Sequence, residues 1–178
     1  HPLFPRQQKV AAYKPLLSDL IDASEASARQ KGKTLQYNIE IKSTPAGDGK
    51  KHPPVEEFVD LAMSVINDKR VSDRSIIQSF DPRALQVMHR KYPTVTTALL
   101  IEGDDRRPLE EQLQQLGFTP FVYSTHFSLV TPELIKQCHE KNMKVIPWTV
   151  NSSDEMKKQL ALGVDGIISD YPDLFSQL

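Results

Sequence analysis

Apolar residues recur along this chain at two spacings, and each change of spacing marks a new element. Leu16, Leu17, Leu20 and Ile21 follow Pro15 at helical intervals, and Gly32 comes after them as a stop signal, which predicts one amphipathic helix. Residues 35–42 then alternate. Leu35, Tyr37, Ile39 and Ile41 fall on one side of a predicted strand, and Gln36, Asn38, Glu40 and Lys42 on the other. Beyond a Gly-, Lys- and Pro-rich loop over residues 44–54, the residues Val55, Phe58, Val59, Ala62, Met63 and Ile66 return to helical spacing. Residues 75–80 read as a strand, and Asp81-Pro82 offers an N-cap and an N1 proline for a helix reaching Tyr92. Residues 95–102, 120–124, 144–150 and 164–169 read as four more strands. Helices are predicted between them over residues 109–116, closed by Gly117, over 131–142, and from a Ser152–Glu155 capping box to Gly163. Pro147 inside a strand signals a local bulge.

Six predicted strands thus alternate with helices without a hairpin signal, which argues for an α/β fold with parallel pairing through right-handed crossovers. Residues 35–42 and 164–169 are expected at the two edges of the sheet. Both an open doubly wound sheet and a (β/α) barrel fit this alternation. In either one, ligands bind at the C-terminal ends of the strands, and Glu40, Lys42, Gln78, Glu102 and Asn151 all fall near such ends. No low-complexity tract or interdomain linker interrupts the pattern, so residues 1–178 are expected to form one domain or a piece of one.

Charge narrows the partners. Lys and Arg number 22 against 23 Asp and Glu, a formal net charge of -1, which gives no broad attraction to nucleic acid or an anionic membrane. The longest apolar runs, residues 97–101 and 166–168, fall far short of the roughly 20 residues of a membrane span, so a soluble segment is expected. The single Cys138 can form no intrachain disulfide and reads as a small buried hydrophobe. The chain opens on His1-Pro2-Leu3-Phe4-Pro5 rather than Met, which reads as an internal start, and the compartment stays open between cytoplasm and secretion.

Candidate chemistry gathers on the strand around Glu40. Asn38, Glu40 and Lys42 share one face, and burying a carboxylate and an ammonium there is costly unless they pair or bind something. One reading is a Glu40–Lys42 ion pair. The other is a carboxylate ligand for a hard cation beside a lysine placed for a phosphate oxygen. Trp148 ends another strand, as core or as pocket wall, and Asp170 either caps the turn after the last strand or belongs to a site.

Read in order, Asn38-Ile39-Glu40-Ile41-Lys42, Gln78-Ser79-Phe80-Asp81, Trp148-Thr149-Val150-Asn151 and the run from Gly163 to Pro172 resemble the glycerophosphodiester phosphodiesterase family over residues 35–172. The resemblance implies a TIM-type (β/α) barrel, of which this chain would hold about six parallel strands with the first two missing. It implies hydrolysis of glycerophosphodiesters to glycerol 3-phosphate and an alcohol, with calcium or magnesium as the divalent cation. By it Glu40 would be a metal ligand, Lys42 would contact the phosphate, and Phe80 and Trp148 would line the pocket around the glycerol or the leaving group.

Family members also carry a His-Arg pair on the first strand, a Glu-x-Asp metal pair on the second and a His-Asp further on, all before the counterpart of Asn38. None of these precedes Asn38 in this chain. His89 and His139 lie in predicted helices as surface or packing residues, and His52 is expected to be solvated in its lysine-rich loop. His126 follows a strand and could face the same pocket as a ligand contact. A barrel of this type needs about 250 residues. The acid/base histidines are therefore expected upstream of residue 1, in a longer parent hydrolase, with this segment inactive alone. A non-enzymatic phosphate- or polyol-binding barrel that has lost the histidines is the alternative.

Overall fold

A computed structural model describes residues 8–178. The opening residues, on which the reading of an internal start rests, lie outside the described residues. The chain divides between Leu35 and Gln36 into two compact units.

The first unit contains α1 (Leu17–Gln30). It ends where Gly32, at φ +62°, and Lys33 turn their N–H groups back to Arg29 and Ala28, so the predicted stop is met. The predicted apolar face is only partly used. Ile21 is buried, whereas Leu16 and Leu20 are exposed.

The second unit is a parallel sheet with helical crossovers. Its strands are β1 (Tyr37–Glu40), β2 (Ser75–Ser79), β3 (Thr96–Ile101), β4 (Val122–Thr125) and β5 (Lys144–Val145), in the order β1-β2-β3-β4-β5. Between them run α2 (Val55–Asp68), α3 (Pro82–Lys91), α4 (Leu109–Leu116) and α5 (Pro132–Glu140), and α6 (Ser153–Leu162) follows β5. Every pairing is parallel.

Side chains alternate across the strands, and the face carrying Ile77, Leu99, Ile101, Tyr123 and Val145 is buried. Leu99, Ile101, Tyr123 and Val145 join Leu85, Leu113 and Ile135 from the helices in one apolar cluster. Each Leu or Ile so withdrawn from water stabilises by about 1.5–3 kcal/mol, which holds the helices to this face; the other face carries the buried Ala98, Leu100 and Val122 together with polar and aromatic groups toward the strand ends. Cys138 sits in the same cluster, as a small buried hydrophobe should.

Three helix starts form as the sequence predicts. Asp81, Thr131 and Ser152 accept hydrogen bonds from the N–H groups of Arg83, Leu134 and Glu155. The capping box of α6 is only half used, because the Glu155 carboxylate accepts from Gln159 Nε2 at 2.7 Å instead.

Among the described residues the expected six strands are five. Past the two residues of β5 the bonds to β4 continue, with Ile146 N donating to Tyr123 O and Trp148 N to Thr125 O, but on the opposite edge Pro147 has no N–H to offer residues 164–169. In addition, the Val145 N–H is taken by the Asp165 carboxylate at 2.8 Å. Residues 164–169 do not form the sixth strand. They still run beside β5, with Asp165 N donating to Val145 O, Ile168 N to Pro147 O, and Val150 N to Ile168 O. These bonds straddle the proline without building a regular ladder. Among the described residues, no helix is long and apolar enough to cross a membrane.

Candidate active site

The strand register sets the site. Glu40 stands opposite Gln78, Gln78 opposite Ala98, and Leu100 opposite Ser124. His126 and Trp148 continue that row through an isolated bridge just past β4 and β5. Residues two apart on a strand share a face, so Glu40, Gln78, Phe80, His126 and Trp148 all lie on the face away from the helical core, toward the C-terminal ends.

Three of these side chains meet. The Phe80 and Trp148 rings pack edge to face with centroids 5.3 Å apart, and the His126 and Trp148 rings do the same at 5.4 Å. Trp148 is anchored by its indole N–H, which donates to Ser124 O at 3.0 Å. Its side chain is half-buried. His126 Nδ1 accepts from Ser128 N at 3.3 Å and lies 2.8 Å from Ser128 Oγ, so in the neutral ring the proton sits on Nε2. Gly103 lies directly against the imidazole. A Cβ there would come within 3.0 Å of the ring, so a side chain at this position would push His126 aside.

Glu40 and Lys42 form the other end of the row. Lys42 Nζ lies 3.7 Å from Glu40 Oε1, with side-chain exposures of 80% and 31%. Asn38 Nδ2 donates to Gln78 Oε1 at 2.9 Å on the same face. The ion pair is thus present, and it is too open to water to be a strong structural element.

A metal site asks for more than this row provides. Calcium takes about 6–8 oxygen ligands and magnesium about six. Among the described residues no three His, Cys, Asp or Glu side chains gather closely enough to hold an ion. Glu40 alone does not make a metal centre.

The remaining predicted positions have other duties. Asn151 closes the turn after residue 168, donating to Asp170 Oδ2 at 2.9 Å and accepting from Asp170 N at 3.0 Å and from Ser169 Oγ at 3.2 Å. His89 stacks on Phe118 at 4.1 Å, and His139 Nε2 lies 2.8 Å from Asp165 Oδ2. His52 is not solvated as expected. Its side chain is 10% exposed, Nε2 accepts from Thr44 N at 3.0 Å, and Nδ1 meets Pro53 O at 2.8 Å. The ring is the pivot on which the loop after β1 folds, and Gly47 lies under it because any Cβ would strike Nε2.

Two features were not read from the sequence. One is a cavity of about 280 Å³ bordered by Phe80, Pro82, Glu102, Asp104, Arg107 and Gln115. Glu102, a predicted strand-end residue, opens onto it. The other is a charged cluster under the β1 loop. Arg83 bonds the Asp81 carboxylate at 2.7 Å and the Asp48 carboxylate at 2.7 Å. Burial pushes the Asp81 carboxyl up, and the bonds from Arg83 and Ser43 more than reverse this, leaving it below the usual carboxylate range. The same guanidinium holds Asp48 below that range. The Asp81-Pro82 start of α3 was legible, but no periodicity ties Asp48 to Arg83 across 35 positions.

The glycerophosphodiester phosphodiesterase of Caldanaerobacter subterraneus is 29% identical over 146 residues, covering 82% of this chain and 56% of that protein. The structure of a glycerophosphodiester phosphodiesterase from Parabacteroides distasonis superposes with a TM-score of 0.70 at 22% identity, over 92% of this chain and 65% of the other. That of an Oleispira antarctica phosphodiesterase in complex with the product sn-glycerol-3-phosphate superposes with a TM-score of 0.72 at 21% identity, over 91% and 60%. At these identities the two structures speak for the fold, which is of the TIM-barrel type. The chain spans little more than half the length of the Caldanaerobacter relative. The model of the glycerophosphoryl diester phosphodiesterase family matches residues 5–174, and the chain belongs to that family.

Proposed function

We propose that this chain forms the C-terminal part of a (β/α) barrel that hydrolyses glycerophosphodiesters to glycerol 3-phosphate and an alcohol. One observation carries the reading: Glu40 and the Phe80–His126–Trp148 cluster occupy one face of the sheet, at the strand ends, in a chain of this family. Lys42 follows Glu40 there and is exposed enough to reach a ligand.

In this reading Lys42 offers its ammonium to a phosphate oxygen, where opposite charge is most effective once water is excluded. Phe80 and Trp148 give the organic part of the substrate two apolar walls at right angles. His126 offers its Nε2–H to a substrate oxygen. Glu40 would give one oxygen ligand to a divalent cation, calcium or magnesium, whose other ligands would have to be supplied from outside the described residues. The cation would offset the charge of the phosphate. Proton transfer needs groups within hydrogen-bond reach of the attacking and leaving oxygens, and these too come from outside the chain.

The test is Glu40→Gln in the full-length protein, which keeps size and removes charge. Calcium or magnesium binding should weaken and turnover of glycerophosphocholine should fall, with little change in melting temperature. Unchanged metal affinity by calorimetry would remove Glu40 from the metal site. A full-length protein that binds glycerol 3-phosphate but turns over no glycerophosphodiester would favour the non-enzymatic binding barrel.

A further inference from the structure

The backbone that carries Lys42 is held on both sides by buried hydrogen bonds. Ile41 N donates to Gln78 O at 2.9 Å, and Ile41 O accepts from Ser79 Oγ at 2.6 Å. Ser43 Oγ donates to Asp81 Oδ2 at 2.8 Å. Ile41, Ser43, Ser79 and Asp81 are all buried. An exposed lysine flanked by two such anchors has a fixed point of departure for its side chain.

Both anchors lead to the β2–α3 junction, and the charge there depends on Arg83. Asp81 N donates to Ser79 Oγ at 3.1 Å, so the two anchors share one turn. The Asp81 side chain is 4% exposed, and a carboxylate so placed is tolerable only when paired. Arg83 pairs it through Nε at 3.0 Å and Nη2 at 2.7 Å. The outer edge of the same guanidinium takes Asp48 through Nη1 at 2.7 Å and Nη2 at 3.3 Å. Asp48 belongs to the loop that leaves β1 just after Lys42. One planar fork therefore ties that loop to the turn beneath it, which the compact ammonium of a lysine could not do with the same geometry.

We propose that Arg83 is a positioning residue: by bridging Asp81 and Asp48 it fixes the backbone of residues 41–43 and so the direction from which Lys42 meets a phosphate oxygen. This rests on the phosphate reading of Lys42 given above. The bonded partners of Arg83 are the two aspartates, so its effect on a ligand passes through Lys42.

A double-mutant cycle in the full-length protein tests this, with sn-glycerol 3-phosphate binding followed by calorimetry. Arg83→Met should weaken binding about tenfold, or ~1.4 kcal/mol. In the Lys42→Ala background the same change should cost no more than about twofold. Equal losses in both backgrounds would overturn the inference, because general loosening of the fold does not need Lys42. Asp48→Ala keeps Asp81 paired and cuts only the loop arm. It should weaken binding about threefold, and unchanged affinity would overturn the inference even if Arg83→Met failed to fold. Unchanged affinity in Lys42→Ala alone is a separate result, which would remove the phosphate reading of the site together with the inference.

Discussion

Among the described residues six carboxylates are held below their usual range by their partners, Glu56 and Asp60 through Lys91 and its neighbours and four aspartates elsewhere. Asp48 is held below the usual range by Arg83, and Asp81 by Arg83 and Ser43 against its burial. Bonds from Arg107 bring Asp105 down to about 2. Asp165 is pushed up by burial and brought down further by Lys144, the Val145 N–H and His139. A carboxylate whose folded pKa lies below its unfolded one adds stability that is fully present above the unfolded value and is lost as pH falls through the folded one. Unfolded aspartate titrates near pH ~3.9. The melting temperature should therefore change little from pH 7 to about 5 on account of these groups and drop between about pH 4 and 2. Asp81→Asn should be less stable at neutral pH and fall less steeply in acid. Thermal scans across that range check both, and a wild-type melting temperature that holds to pH 2 would contradict them.

At the scale of elements, the ends are more informative than the middles. α4 stops at Gly117, φ +84°, and α6 at Gly163, φ +97°, both in the left-handed region that glycine adopts without strain. Nothing lies within 4 Å of a Cβ built on Gly117, so Gly117→Ala should cost conformational energy alone, about 1 kcal/mol. Chemical denaturation should show a lower midpoint with an unchanged slope, and an unaltered midpoint would mean that the turn relaxes. Such ends were legible in the sequence because capping depends on neighbours: Gly117 and Gly163 as stops, Asp81 and Thr131 as starts. The polar face of β1 was legible for a similar reason, since alternation alone separates Asn38, Glu40 and Lys42 from Ile39 and Ile41. What escaped depends on distant partners. The Val145 N–H, on the edge of β5 that faces residues 164–169, is taken by a carboxylate 20 residues away, and His52 became a buried pivot through its bond to Thr44 N. The Arg83 bridge needed a loop without periodicity to fold first.

At the scale of the molecule, the candidate site is a row of side chains across several strands, and the proposed function takes its acid/base groups from outside this chain. Missing acid/base groups typically forfeit a factor of roughly 10²–10⁴ each. The 178-residue chain alone should show no measurable turnover of glycerophosphocholine under conditions where the full-length protein is active. Turnover by the isolated chain matching the full-length protein would sink the proposed division of roles. The order of the sheet has a further consequence, for synthesis rather than for catalysis. From β2 onward each strand pairs with the one before it in the chain: Ser75 with Tyr37, Thr96 with Ile76, Val122 with Ala98, Lys144 with Val122. Each pairing closes a loop of roughly 20–40 residues, and the entropy of closure grows only slowly with length. A chain emerging from the ribosome can therefore complete each pairing of this sheet as the next strand appears.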